Sequence, residues 1–324
     1  MKKHLLTVLV GISFELGAGL QNHAPSFENA LGRGDSYFGR FYEPLISALG
    51  RGTLPWKDKE DECPKPISAF VQFCRDLYEE NKLTNTSIKS RPRIPLIVHQ
   101  IWLGSPFPEK YKVWQKTWKS IPGWEYRLWT DKDIEKLDLI NKNIYNASKN
   151  YGQRSDIARM EILERFGGLY VDVDFECLNP EMFTTLHKAY DFYAGLEPLD
   201  LRKISVNNAL LASVPGHPIL KGYIKKLKAR WISFRSAITQ KEQDMIIFKT
   251  GPAFLSQIFW EYADKKGYKN IIFPPTFFYP LGYSQAKYLG YPIAPVLKRK
   301  TSKPETVAIH WWAGSWRRPQ AHVQ

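Results

Sequence analysis

Residues 151–174 read YGQRSDIARMEILERFGGLYVDVD, and this stretch decides the fold. Ile157, Met160, Leu163 and Phe166 recur at helical spacing, so Tyr151 to Phe166 forms a helix with one apolar face. Gly167-Gly168 ends it, glycine being the residue that accepts the left-handed conformation after a helix. Leu169 to Val173 then reads as a short apolar strand. Side chains two apart in a strand face the same way, so Asp172 and Asp174 project together while Val171 and Val173 pack inward.

Two carboxylates held this close repel, and acidic groups are rarely buried unpaired. A divalent cation between them resolves the conflict, and hard oxygen ligands suit Mn²⁺ or Mg²⁺. Such a metal clamps a diphosphate and stabilises charge on a departing nucleotide. The alternative is a pair of solvated aspartates at a strand end. Upstream, Asp156 and Arg159 are three apart on the helix and therefore neighbours. They form either a surface ion pair or a ligand contact, with Asp156 accepting bonds from sugar or ribose hydroxyls and Arg159 neutralising phosphate.

Working outward, Ile94 to Trp102 (IPLIVHQIW) is a nearly continuous apolar run, as a buried parallel strand should be. Glu109 to Ser120 reads as a helix, Trp124 to Trp129 as a strand, and Asp131 opens another helix behind the N-cap Thr130. Strands alternating with helices imply a mostly parallel sheet with ligands at its carboxyl end. Beyond Asp174, Phe192 to Leu196, Asn208 to Ala212 and Thr306 to His310 read as strands, and Gly216 to Trp231 as a helix. That helix carries Lys221, Lys225, Lys226, Lys228 and Arg230 outside, either a solvated face or a contact for an anionic membrane. A last motif, Ile309 to Arg318 (IHWWAGSWRR), follows the late strand. It joins His310, suited to completing a metal shell as neutral imidazole, to a glycine that permits close backbone approach to phosphate.

The chain has 324 residues, 44% of them hydrophobic, enough for a sizeable core. Its formal net charge is +14, with the basic residues spread along the sequence rather than interleaved with aromatics in one module. This favours phosphate-bearing ligands or a membrane surface and speaks against nucleic acid. Of three cysteines, Cys63 and Cys74 either pair in an oxidising compartment or stay reduced. Residues 1–90 form a mostly helical extension ahead of a catalytic domain at 91–324. Within it, Ile67 to Asn81 is one amphipathic helix, and residues 1–20 resemble a signal or anchor segment too short to span a bilayer.

Taken together, VHQIWLG, SDIARMEILERFGGLYVDVD and IHWWAGSW resemble glycosyltransferase family 32, the DXD-containing sugar transferases related to the clostridial glucosylating toxins. The resemblance spans about Ile94 to Arg318. It implies an α/β fold of GT-A type: a Rossmann-like mixed sheet flanked by helices. It also implies a UDP- or GDP-sugar donor, Mn²⁺ or Mg²⁺, and transfer of a hexose to an acceptor hydroxyl with retention of configuration.

Carried over by motif, Trp102 stacks on the donor base, with His99 and Gln100 lining that pocket. Asp156 and Arg159 contact the donor sugar and phosphate, and Tyr170 sits near base and ribose. Asp172 touches ribose and metal, Asp174 is the main metal ligand, and His310, Ser315 and Trp316 close over the diphosphate. Asn207, Asn208, Gly251 and Pro252 fall on the acceptor side. The motif departs from a double-histidine form, since Trp311 follows His310.

The acceptor, whether lipid, glycan or protein, is not written in the sequence, and membrane-associated, cytoplasmic and secreted placements all remain open. Glu197 and Asp200 are the carboxylates an inverting mechanism would call on. Two competing readings stand beside sugar transfer: a nucleotidyl- or phosphotransferase on the same aspartates, and a non-enzymatic basic protein that binds membranes.

Overall fold

The computed structural model describes residues 24–30, 65–83, 88–197, 205–233, 242–282 and 294–315. The N-terminal segment 1–20, Cys63, Asp200, Trp316, Arg317 and Arg318, all singled out above, lie outside these residues. Along the chain run α1 (Phe27–Ala30), α2 (Lys65–Asn81), β1 (Ile97–Ile101), α3 (Lys112–Lys119), β2 (Glu125–Trp129), α4 (Asp131–Lys136) and α5 (Lys142–Ala147). Then come α6 (Tyr151–Phe166), β3 (Gly168–Val171), β4 (Phe175–Cys177), α7 (Pro180–Ala189), β5 (Phe192–Leu196) and β6 (Val206–Ser213). The chain continues through α8 (Pro218–Ser233), α9 (Glu242–Lys249), α10 (Pro252–Tyr262), β7 (Asn270–Phe273), α11 (Ala294–Thr301) and β8 (Ala308–His310).

Six strands make one sheet in the order β2-β1-β3-β6-β5-β7. Only β6 runs against its neighbours β3 and β5; the pairs β1–β2, β1–β3 and β5–β7 are parallel. The expected mixed, mostly parallel α/β sheet flanked by helices is what the chain forms. β3, β5, β6 and β7 are buried along their whole length, as strands covered on both faces must be. Helix α2 is part of this core: Tyr78 packs against Phe273 of β7, and Phe73 against Phe259 of α10.

Helix α6 starts where the Asn150 side chain accepts the Gly152 amide proton at 2.7 Å, a cap that satisfies a first-turn donor. Its middle, Asp156 to Leu163, is buried without interruption. Gly167 departs from the expected left-handed cap. Its φ of 63° and ψ of −159° lie in a region only glycine visits, and the chain enters β3 at once. A Cβ there would meet Pro215, Pro95 and the Ser213 carbonyl within 2.9 Å.

One expectation is corrected. The strand does not reach Val173: β3 ends at Val171, and Val173 and Asp174 form a turn into β4. Asp172 and Asp174 therefore converge by a turn rather than by strand alternation. The late strand read at Thr306 to His310 is present as β8 and starts at Ala308; it pairs antiparallel with β4 in a separate two-stranded sheet, placing His310 opposite Phe175.

Candidate active site

An open cavity of about 230 Å³ sits over the carboxyl ends of β1 and β3. Its floor is the turn after β3. The Asp172 amide donates to the Ala209 carbonyl of β6 at 2.8 Å, and the Asp172 carbonyl accepts from the Gln100 side chain at 3.3 Å. Both neighbouring strands thus fix the backbone from which the carboxylate projects.

Asp172 Oδ1 accepts the Tyr170 hydroxyl at 2.7 Å and lies 3.4 Å from the Arg159 guanidinium. Asp174 Oδ2 accepts the Ala313 amide at 2.7 Å, and its Oδ1 lies 3.1 Å from His310 Nε2. Burial and the adjacent Asp174 charge push the Asp172 carboxyl up against the opposing pull of Arg159. Burial pushes Asp174 the same way but is overcome by His310 and by the Ala313 amide, so Asp174 stays below the usual carboxylate range. Ligand atoms of Asp172, Asp174 and His310 all lie within 4.8 Å of one another.

These three residues fit a divalent cation on two grounds. The donor set is two carboxylate oxygens and one imidazole nitrogen, suited to a metal of hard or borderline character. The second ground is electrostatic. Four carboxylates line the cavity, Asp156, Asp172, Asp174 and Glu197, and Arg159 is the only Lys or Arg among the described lining residues. A diphosphate entering such a cavity needs added positive charge.

Arg159 has little to spare. It is buried, and it donates to the Asn208 carbonyl at 2.6 Å and to the carbonyl and hydroxyl of Ser155 at 3.2 and 3.1 Å. It also pairs with Asp156 at 3.2 Å and lies over the Tyr170 ring at 4.4 Å. Of the two readings of this pair, the surface ion pair is excluded, since both side chains are buried. Asp156 accepts the Asn208 amide and the Thr250 hydroxyl, each at 2.8 Å. Burial outweighs the nearby Arg159 charge and pushes the Asp156 carboxyl up to about 7.

Of the residues singled out in the sequence, Trp102, Asp156, Arg159, Tyr170, Asp172, Asp174, Asn207, Asn208, Gly251, Pro252, His310 and Ser315 all line the cavity. His99 and Gln100 do not. Both are fully buried behind the wall: as consecutive residues of β1 they point to opposite faces of a sheet that is covered on both sides. The His99 ring bonds to the Gly167 carbonyl and the Trp129 indole, and burial lowers its pKa to about 4. Gln100 accepts the Tyr126 hydroxyl at 2.7 Å and carries the Asp172 backbone. Their part is support of the wall, not contact with a ligand.

Several lining residues were not picked out. Tyr151 lies one and two helical turns before Ser155 and Arg159, and that i, i+4, i+8 stripe was legible. Ile246 and Ile247 of α9 carried no signal. Trp312 closes the C-terminal side. Its ring lies 4.1 Å from that of His310, its indole donates to the Leu281 carbonyl, and its φ is 52°, an uncommon conformation for a bulky residue.

Residues 108–192 match the model of the glycosyltransferase sugar-binding region containing a DXD motif. The chain is 28% identical over 201 residues to inositol phosphoceramide mannosyltransferase 3 of Schizosaccharomyces pombe, covering 59% of this chain and 52% of that protein. It is 32% identical over 198 residues to the mannosyl phosphorylinositol ceramide synthase CSH1 of Saccharomyces cerevisiae, covering 56% and 47%. The chain thus spans about half the length of the curated relatives it matches. Among solved structures, the catalytic domain of alpha-toxin from Clostridium novyi superposes over 80% of this chain and 86% of that one, with 12% identity and a TM-score of 0.48.

Proposed function

We propose, from the match of residues 108–192 to the DXD-containing glycosyltransferase sugar-binding region, that the chain is a glycosyltransferase that moves a hexose from a nucleotide-diphosphate sugar to an acceptor hydroxyl with retention of anomeric configuration. Mannose is the first sugar to test, because the curated relatives are named as mannosyltransferases acting on inositol phosphoceramide. The acceptor class that follows is a glycolipid or glycan.

The observation that carries this reading is the convergence of Asp172, Asp174 and His310 beside an aromatic-walled cavity. The three residues would hold Mn²⁺ or Mg²⁺, which when bound supplies positive charge for the donor diphosphate. Trp102 offers an indole face near the cavity wall, held by donation of its N–H to Ser105 and Pro106 at 3.1 Å. The base would stack there and the ribose would reach Asp172 and Tyr170. Asn208 and Thr250 fix the plane of the Asp156 carboxyl at the cavity wall, where it would orient the donor sugar.

Retention is supported by how the remaining carboxylates among the described cavity residues are spent, Asp200 lying outside them. Asp156 is engaged by Asn208, Thr250 and Arg159, and Glu197 by Ser205 and Asn207. Neither of these two stands free as a base aimed at an incoming hydroxyl, which front-face attack does not require. The test is turnover of GDP-mannose, UDP-glucose and UDP-galactose with an inositol-phosphate glycolipid, the product anomer read by NMR. Transfer from one donor with the anomer kept supports the reading. An inverted product removes retention, and release of nucleoside monophosphate in place of diphosphate removes sugar transfer.

A further inference from the structure

Helix α8 buries Leu220, Tyr223, Ile224 and Leu227 against the core and turns a different stripe outward. Lys221, Lys225, Lys228 and Ile232 are all exposed, and the spacing of four, three and four residues puts them in one line along the helix. No acidic residue occurs from Pro218 to Ser233. The line is widened by the turn after α10. Gly222 sits so close to Tyr262 that a Cβ would come within 2.7 Å of the ring, and Lys226 and Lys265 both lie over that ring, at 5.6 and 5.7 Å. Lys265 and Lys266 are exposed beside it. The acids nearby are Glu261, which Lys226 holds, and the exposed Asp264.

The far end of the stripe borders the cavity. Arg230 donates to the Phe248 carbonyl at 2.9 Å and Lys249 lies 4.4 Å from the Trp231 ring, which ties α8 to α9. Ile246 and Ile247 of α9 line the cavity. Among the described residues no helix is long and apolar enough to cross a membrane.

We propose that this face of α8, with Lys265 and Lys266, docks the chain on an anionic lipid bilayer, with Ile232 entering the interface next to the cavity's α9 wall. A flat row of lysines complements anionic headgroups, and long lysine stems with one exposed isoleucine fit the boundary between headgroup and acyl chain. Among the described residues the α8 stripe itself exposes no aromatic, and the exposed Trp260 and Tyr268 of the neighbouring α10 segment suit the headgroup level of a bilayer, where amphipathic rings sit. The inference goes beyond sugar transfer and does not rest on it, since docking needs no donor.

The experiment is co-sedimentation of the full chain with vesicles of phosphatidylcholine, with and without phosphatidylserine, and no nucleotide sugar present. Binding should require phosphatidylserine and weaken with added salt. The triple variant Lys221→Glu/Lys225→Glu/Lys228→Glu should bind roughly 100-fold more weakly. The matched variant Lys132→Glu/Lys136→Glu/Lys142→Glu, which changes net charge equally elsewhere, should bind within about twofold of the parent chain, and circular dichroism should show both folded. Equal loss in both variants, or equal binding to neutral vesicles, overturns the proposal. Binding of a DNA duplex lost in the α8 variant, without vesicle binding, reassigns the face to nucleic acid.

Discussion

His310 Nε2 lies 3.1 Å from Asp174 Oδ1 across a sequence separation of 136 residues. The contact is made by the small β4–β8 sheet, where the His310 ring stacks on Phe175 with centroids 4.6 Å apart and planes within 6°. His310 Nδ1 is buried and makes no hydrogen bond in the structure. The C-terminal motif is thus brought onto the DXD turn by backbone pairing and ring packing.

From this contact the first prediction follows. His310→Ala should weaken Mn²⁺ binding by roughly 100-fold, read by calorimetry or paramagnetic relaxation of water. It should leave the fold intact at neutral pH. Unchanged affinity would remove His310 from the ligand set.

A second prediction concerns the glycine pair. Gly167→Ala places a Cβ within 2.9 Å of Pro215, Pro95 and the Ser213 carbonyl, in a backbone region that excludes side chains. The expected cost is about 3 kcal/mol or more. Gly123, with φ of +77°, has nothing within 4 Å of its Cβ position. Gly123→Ala should cost only about 1 kcal/mol from strain. Urea denaturation midpoints of the two variants test the contrast.

The third prediction is a pH dependence. Burial raises the Asp156 carboxyl from 3.8 to about 7, so the folded state binds a proton that the unfolded state releases. Stability from this group is full below pH about 4 and is lost as pH rises toward 7. Buried His99, His187 and His217, lowered to about 4, 3 and 4, act in the opposite sense: they favour the fold above 6.5 and lose that contribution as pH falls. Asp156→Asn isolates the first effect. Its stability relative to the parent chain should improve steadily from pH 4 to 7. A flat difference across that range would contradict the burial argument.

Much of this was readable in advance. Helix α6 was legible to the residue because its apolar period and closing glycines agree. The sheet was legible because β3 and β5 are unbroken apolar runs and β1 is interrupted only by His99 and Gln100. The DXD pair was recognised, but its convergence was assigned to strand alternation when a turn performs it. His99 and Gln100 were misplaced because a motif marks which residues recur near a site, not which face of β1 each occupies. The interior role of Arg159 escaped a reading of helix neighbours, since its partner carbonyl at Asn208 comes from a strand 49 residues away.

The central claim is that this acidic cavity takes a nucleoside diphosphate only together with a divalent cation at Asp172, Asp174 and His310. Titration of GDP and UDP into the chain, with Mn²⁺ or with chelator, and into Asp174→Asn, tests it most directly. The account predicts binding of one nucleotide with Mn²⁺, none with chelator, and a loss of at least about 100-fold in the variant. Tight binding that is indifferent to Mn²⁺ and to Asp174→Asn would contradict it.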